Sequence, residues 1–271
     1  MNDSSPPSIQ SHWRDVLPNL QRRLGAEQIL VASDFDGTIS AIAPSPDEAV
    51  VIPAARAALD RLSQLPGVTV AVVSGRSLSG VKQKVDLPAL VYAGNHGVEM
   101  EGPHVPPLTI FTEDARRDLE AALASLHDAL DWVAGVLIED KGSSLSVHYR
   151  QAAPADLDFV AAAVTAAGSL SPRIQIRRGK MVQELRPDLG WNKGSAVMHL
   201  MTCFKIHPAA AFFLGDDETD DDVFRVLPLG GTFIIGERPS RDAAFRCRDP
   251  DDAAELLTWM ADQRERHFTA A

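Results

Sequence analysis

The chain is poor in cysteine, with two in 271 residues. Cys203 and Cys247 are too few for a disulfide scaffold and lack metal-ligand spacing, so we expect two buried thiols in a reducing compartment. No apolar run approaches the ~20 residues that a membrane helix needs. The opening MNDSSPPSIQ has no basic stretch followed by an apolar one, which predicts no secretory signal and a cytoplasmic protein. Basic charge is also in deficit: 26 Lys and Arg face 37 Asp and Glu, a formal charge of −11. That balance argues against a long nucleic-acid groove, because phosphate backbones attract basic surfaces. It would also repel a phosphorylated small molecule, so a site for one needs its own Lys, Arg or metal. No G-x-x-x-x-G-K-[ST] segment occurs, which excludes a P-loop. Three fragments carry no weight. Ser79 to Lys82 spells S-x-x-K without its partner motifs. The sequon Asn2-Asp3-Ser4 has no route to secretion in a cytoplasmic chain. The Arg-rich strand at 173–178 reads as a solvated edge on an acidic protein.

What is present is an ordinary globular composition, 45% hydrophobic and 23% charged, which excludes a wholly disordered chain. The length allows one large domain or two modest ones of ~150 residues. After a Ser/Pro-rich start and a helix near 11–24, short apolar runs alternate with helical stretches. Ile29 to Ser33, Val68 to Val73, Ala89 to Ala93, Ala210 to Leu214 and Thr232 to Ile235 each stop at Asp, Ser or Gly. Continuous apolar strands alternating with helices predict an α/β fold with a parallel sheet covered on both faces. Ligands of such sheets sit beyond the carboxyl ends of the strands.

The middle breaks this rhythm. Residues 112–130 read as a helix with Leu119, Ala122, Leu123 and Leu126 on one face. VAGVLIED and SLSVHYR form a hairpin around Lys141-Gly142-Ser143. Residues 154–168 read as a second helix, between Pro154 and Gly168. RIQIRR and MVQELR form a second hairpin turning at Gly179-Lys180. This helix–hairpin–helix–hairpin module is an α+β insert at 110–185, splitting a core made of 1–109 and 186–271. The two crossings, near 108–111 and 185–188, are the expected hinges.

The chemistry-bearing residues gather at the strand ends. DFDGT follows the first strand, and a strand run ending in Asp-x-Asp projects Asp34 and Asp36 to the same side, because side chains alternate. Like charges this close need a cation or a proton between them. An Asx-turn accounts for one Asp and the Gly but not for the second Asp. A second acidic run, GDDETDDD at 215–222, follows the strand AFFL. Asp216 joins the first pair to make a hard, oxygen-rich site of the kind Mg²⁺ prefers. A helix start with Thr219 as N-cap and Asp222 closing a capping box is a reading that can hold alongside it. The EF-hand spacing and its central Gly are absent. Ser74 and Gly75 end another strand, where a hydroxyl and loop N–H groups can bind phosphate oxygens. Lys193, ahead of a helix predicted from Ser195, is the cation that a phosphoryl group needs there.

DFDGT, VVSGR, NKGSA and LGDDETD stand in the order of the four motifs of the haloacid dehalogenase (HAD) phosphohydrolases, and the chain resembles that superfamily from residue 29 to the last predicted strand. Within it, GNHGVE at 94–99, EDKGSSLSVHYR at 139–150, GKMVQELRP at 179–187 and GDDETDD at 215–221 are similar to the trehalose-6-phosphate phosphatases. The first motif more often reads DYDGTL, and the last run more often has Glu where Asp221 stands; neither departure removes a carboxylate. The resemblance implies a Rossmann-like HAD core with an inserted cap domain that selects the substrate. It implies Asp34 as the nucleophile, Asp36 as general acid and base, and Ser74 and Lys193 as holders of the phosphoryl oxygens. It implies Mg²⁺ bound by Asp34, the carbonyl of Asp36 and Asp216, with Asp217 and Asp220 in support. For the sugar it nominates Glu139, Lys141, Arg150, Lys180 and Glu184 from the cap, with Arg76, Asn95 and His96 from the core. His96 is equally suited to stabilising its Gly-x-x-Gly turn, and His148 stands beside the cap residues. The expected partner is a small sugar phosphate, with no nucleic acid and no membrane. Alternatives are a phosphatase of sucrose or glucosylglycerol phosphate, a phosphomutase, or a non-catalytic sugar-phosphate sensor on the same fold.

Overall fold

The computed structural model describes residues 10–43, 46–179 and 181–269. In chain order the elements are β1 (Ser11–His12), α1 (Leu17–Leu24), β2 (Ile29–Ser33), α2 (Pro53–Ser63), β3 (Val68–Val73), α3 (Leu78–Val85), β4 (Val91–Gly94), β5 (Glu99–Gly102) and β6 (Val105–Thr109). There follow α4 (Glu113–Leu130), β7 (Leu137–Asp140), β8 (Leu145–His148), α5 (Leu157–Gly168), β9 (Ile174–Gly179) and β10 (Val182–Pro187). The chain closes with α6 (Lys193–Phe204), β11 (Ala211–Gly215), α7 (Asp221–Val226), β12 (Gly231–Ile235), β13 (Phe245–Cys247) and α8 (Pro250–Thr269). Two compact units result: one takes the chain up to Leu108 and again from Asn192, the other is Thr109–Trp191.

The larger unit is built on a nine-stranded sheet in the order β1-β13-β12-β11-β2-β3-β4-β5-β6. Neighbours from β1 to β4 run parallel, and β5 returns antiparallel to β4. Every residue of β2, β11 and β12 is buried, as a parallel sheet flanked by helices requires. The chain lays β2, β3 and β4 outward in one direction and β11, β12 and β13 in the other. The order reverses beside β2, and a crevice opens at such a point beyond the carboxyl ends.

Several elements differ from the sequence reading. The helix expected over 11–24 begins at Leu17, because Ser11 and His12 pair with Phe245 and Arg246 as an edge strand. The β5–β6 hairpin has no counterpart in the reading: Pro106 and Pro107 argue against a strand, and only the sheet edge admits them. α6 starts at Lys193 rather than Ser195, since the Asn192 side chain caps it by accepting from the Ser195 amide at 3.0 Å. Of the two thiols expected to be buried, Cys247 is buried and Cys203 is exposed on α6.

The smaller unit has a four-stranded antiparallel sheet in the order β7-β8-β10-β9. α4 carries Ala115, Leu119, Ala122, Leu126 and Leu130 at helical spacing. Thr112 caps it, its hydroxyl accepting from the Ala115 amide at 3.2 Å. From Leu119 onward that stripe packs with Val160, Val164 and Ala167 of α5 against Leu145, Val147, Ile174 and Leu185 of the sheet. β7 starts at Leu137 because the chain turns through Gly135 at φ +82°. α5 starts after a single 3-10 turn at Pro154–Asp156. The chain leaves this unit after Trp191 rather than at 185, because β10 pairs with β9 as far as Pro187↔Ile174.

Candidate active site

Asp34 lies just past β2. Its amide donates to the Leu214 carbonyl at 2.9 Å, which extends the β2–β11 pairing by one residue. Its carboxylate accepts from the Phe35 amide at 2.7 Å and lies 3.0 Å from the Lys193 ammonium. The regular strand stops at Ser33, so strand alternation does not aim Asp34 and Asp36; the turn after β2 does. Asp36 is gripped through both oxygens by the Arg76 guanidinium at 2.7 and 2.8 Å. That guanidinium also sits 5.0 Å from the centre of the Phe35 ring, a cation–π contact that steadies it.

Lys193 is 1% exposed, at the first position of α6. Burial and the positive end of the helix both disfavour an ammonium there. Asp220 at 2.8 Å and Asp34 at 3.0 Å outweigh the burial and hold its pKa well above the usual lysine value. Asp220 is fully buried, and its other oxygen accepts from the Asp216 and Asp217 amides at 2.9 and 3.0 Å. Gly215 makes that fold-back possible, because a Cβ there would lie 2.3 Å from the Asp220 carboxyl carbon. Asp217 accepts from the Thr219 amide and hydroxyl at 2.8 and 2.7 Å. The Thr219 hydroxyl therefore donates to an Asx-turn, and the expected capping box with Asp222 does not form: α7 begins at Asp221 with no side-chain cap.

Asp216 accepts from the Thr38 hydroxyl at 3.2 Å. It lies so close to Gly37, at φ +74°, that a Cβ would come within 2.2 Å of its oxygen. Thr38 thus ties the first acidic motif to the last, a link in DFDGT that the reading passes over. Burial pushes the Asp34 carboxyl up to about 7, its acidic neighbours adding to the effect against the pull of Lys193. Burial and then Asp220 and Asp217 push Asp216 up to about 7 as well. For Asp217, desolvation is outweighed by Lys193 and Thr219, and its carboxyl sits below the usual range.

Ser74 is buried at the end of β3; its hydroxyl accepts from the Arg76 amide at 3.2 Å and its carbonyl from the His96 amide at 2.8 Å. Asn95 and His96 both adopt the left-handed region, at φ 49° and 58°, a conformation uncommon for residues other than glycine. The pair turns the chain out of β4 and lays the His96 ring against Gly75, where a Cβ would meet it at 2.7 Å. The structure therefore brings Asp34, Asp36, Ser74, Arg76, Asn95, His96, Lys193, Asp216, Asp217 and Asp220 to the carboxyl edge of one sheet.

In the smaller unit, Glu139, Ser146, Glu184 and Arg177 stand opposite one another across β7, β8, β10 and β9, on the face away from the helices. Glu184 collects contacts: Ser144 donates to it at 3.1 Å, Lys141 lies at 3.4 Å and Arg186 at 3.2 Å. His148 lies 2.9 Å from Glu139 on the same face. β7 ends at Asp140, so Lys141 belongs to the turn, yet it still reaches Glu184. Arg150 is exposed in the turn after β8, which ends at His148. Lys180 lies outside the described residues.

Arg238, in the loop after β12, is absent from the sequence reading. It donates to the Asp216 and Asp217 carbonyls at 3.0 and 2.7 Å and grips the Asp221 carboxylate at 2.8 and 2.9 Å. Its one sequence signal is its place after a further strand end.

Among the described residues, one carboxylate oxygen each from Asp34, Asp217 and Asp220 lie within 4.8 Å of one another, with Asp216 adjacent in the chain. Hard oxygen donors suit Mg²⁺. Asp220 accepts from Lys193 and two amides through both oxygens and so braces the site; Asp34, which meets Lys193 and the Phe35 amide, and Asp216 and Asp217 keep lone pairs that could meet a cation. One ammonium among these carboxylates leaves charge uncompensated, and burial pushes three of them, Asp34, Asp216 and Asp220, upward toward protonation. The residues fit a divalent ion.

The sequence model of the Trehalose-phosphatase family matches residues 32–231. The trehalose-phosphate phosphatase of Mycobacterium avium (strain 104) is 38% identical over 248 residues, covering 86% of this chain and 62% of that protein. The corresponding protein of Mycobacterium tuberculosis (strain ATCC 25618 / H37Rv) is 36% identical over 283 residues, covering 97% of this chain and 71% of that protein. The chain thus spans about three fifths of the M. avium relative's length. In three dimensions, the C-terminal domain of Candida albicans trehalose-6-phosphate phosphatase matches with a TM-score of 0.78 at 21% identity, over 95% of this chain and 99% of that one. The C-terminal domain of a C. albicans trehalose synthase regulatory protein matches with a TM-score of 0.72 at 11% identity, over 94% and 100%. Both structures speak to the fold alone, which has a largely parallel central sheet and a separate antiparallel one. Taken with the family match over most of its length, the M. avium and M. tuberculosis relatives show that this chain belongs to the trehalose-phosphatase family.

Proposed function

We propose that the protein is a Mg²⁺-dependent phosphatase that hydrolyses trehalose 6-phosphate to trehalose and phosphate in the cytoplasm. The observation that carries this reading is Asp34: a buried carboxylate at a parallel strand end, against Lys193, at the edge of an acidic loop. The family match and the named relatives support the substrate.

In this reading Asp34 attacks phosphorus, and the bond to the sugar oxygen breaks while Asp36 protonates that oxygen. An aspartyl-phosphate on Asp34 results, which divides one difficult displacement into two. Asp36 then takes a proton from water, whose oxygen attacks phosphorus and releases Asp34. Lys193 and the Ser74 hydroxyl hold phosphoryl oxygens as charge moves between them. Asp34, Asp216 and Asp217, with the Asp36 carbonyl, hold Mg²⁺. The ion supplies charge neutralisation at the phosphoryl group. In the smaller unit, Glu139, Lys141 and Glu184 recognise sugar hydroxyls, with His148, Ser144 and Arg186 setting their orientation; Arg150 and Lys180 remain part of this reading. Arg76 and the Asn95–His96 turn serve the core side.

The test is phosphate release from a panel of sugar phosphates, including sucrose and glucosylglycerol phosphates, with Mg²⁺ and with EDTA, on wild type, Asp34→Asn and Asp36→Asn. Release confined to trehalose 6-phosphate and lost with EDTA and in both variants is the expected result. Metal-dependent release from another sugar phosphate would keep the mechanism and replace the substrate. No release from any of them would leave a mutase or a sensor.

A further inference from the structure

We propose that Arg238 is a positioning residue that holds the 215–222 loop in the arrangement a divalent cation requires; this rests on the phosphatase reading above. The loop crowds Asp216, Asp217, Glu218, Asp220, Asp221 and Asp222 into one segment, and such charges repel one another. Lys193 compensates the inner side, on Asp34 and Asp220. Arg238 compensates the outer side, on Asp221, which is not part of the carboxylate triplet. It therefore relieves repulsion without taking the place of the ion.

Its other two bonds set direction. The carbonyls it binds belong to Asp216 and Asp217. Fixing them fixes the peptide planes on the carboxyl side of both residues, and so the course of the backbone from which their carboxylates project. The Asp220 carboxylate holds the Asp216 and Asp217 amides from the other side. The loop backbone is thus clamped from two directions.

Arg238 is itself braced. The Ser240 hydroxyl donates to Asp221 at 2.9 Å, and the Gln10 side-chain amide donates to the Ser240 carbonyl. Arg246 of β13 donates to the Arg238 carbonyl at 3.3 Å and to the Gln10 side chain at 3.2 Å. The strut, itself partly exposed, is tied to β13 and to the residue before β1 at this edge of the sheet. A lysine could not replace the fork, since an ammonium is a point charge and cannot span two carbonyls and a carboxylate at once.

The experiment is a Mn²⁺ titration of metal-stripped wild type, Arg238→Ala and Arg238→Lys, read by the paramagnetic resonance of the free ion. Circular dichroism checks the fold, and phosphate release is followed against Mg²⁺ concentration in parallel. Outer-shell partners of metal ligands typically contribute about 10–100-fold in affinity. We expect a Mn²⁺ Kd weakened by that factor in Arg238→Ala and substantially in Arg238→Lys. The Mg²⁺ concentration for half-maximal release should rise in step, and KM for the sugar phosphate at saturating Mg²⁺ should stay near wild type. Wild-type Mn²⁺ affinity in either folded variant overturns the proposal, and Arg238→Lys decides alone if Arg238→Ala does not fold. A wild type that binds Mn²⁺ but releases no phosphate would sink the phosphatase reading, while the affinity comparison still decides the role of Arg238.

Discussion

Lys193 shows how much one side chain organises here. It is buried at a helix N-terminus and contacts two carboxylates that come from different strand ends. Removing its charge would leave Asp34 and Asp220 buried without compensation, and breaking a buried pair this way costs about 3–5 kcal/mol. Lys193→Met keeps the length of the side chain and discards the ammonium. We expect its urea midpoint to fall by an amount matching that range and its phosphate release to vanish. A variant that unfolds with the wild-type midpoint would show that Lys193 is not the neutralising partner. The reading of NKGSA singles out this lysine as a phosphate-holding cation. Its pairing with Asp220 is not legible there, because that contact depends on Gly215 letting the Asp220 carboxylate fold back.

Among the elements, the junction of β1 with α8 has its own logic. Asp252 lies in the first turn of α8 and is buried. It accepts from the Trp13 indole at 3.0 Å, Arg14 at 2.6 Å and the Arg248 amide at 2.9 Å, with His12 at 2.7 Å. Burial opposes its charge, and the bonds from the Arg248 amide, His12, Arg248 and Trp13 outweigh that and hold its carboxyl below the usual range. A depressed folded pKa stabilises the fold above the unfolded value of about 3.9 and is lost as pH falls through the folded pKa. Urea midpoints measured from pH 7 down to pH 3 should therefore fall less steeply below about pH 4 in Asp252→Asn than in wild type. At pH 7 the variant should be less stable by about 1–3 kcal/mol. Parallel curves for the two proteins would remove Asp252 as the cause. None of this was legible as sequence: a two-residue strand has no period to detect, and β13 at Phe245–Cys247 is scarcely longer. The long apolar runs of β2, β3 and β11 were legible, because full burial writes an unbroken apolar string.

For the molecule as a whole, two cores matter. The larger unit buries its own cluster around Leu30, Val72, Phe212 and Phe233, and the smaller one buries Leu119, Leu126, Val147 and Val164 among others. Leu126 is fully buried, and its loss to Ala should cost about 2–5 kcal/mol. Because the cores are separate, Leu126→Ala should lower hydrogen-exchange protection across 113–187 while leaving β2, β3 and β11 protected. Loss of protection in both units together would mean that they unfold as one.

The division of information follows from the range of the forces. Alternating apolar runs and helical stretches, the insert between them and the acidic motifs at strand ends are written locally. Burial periodicity and turn chemistry act over a few residues, so the α/β class, the two-part chain and the acidic motifs could be read from the string. Partner choice is written elsewhere. Arg76 meets Asp36, Thr38 meets Asp216, and Arg238 meets Asp217 and Asp221 because the sheet order sets β2 between β3 and β11, with β12 next to β11. Those neighbours lie far apart along the chain, and packing, not spacing, brings them within hydrogen-bonding distance.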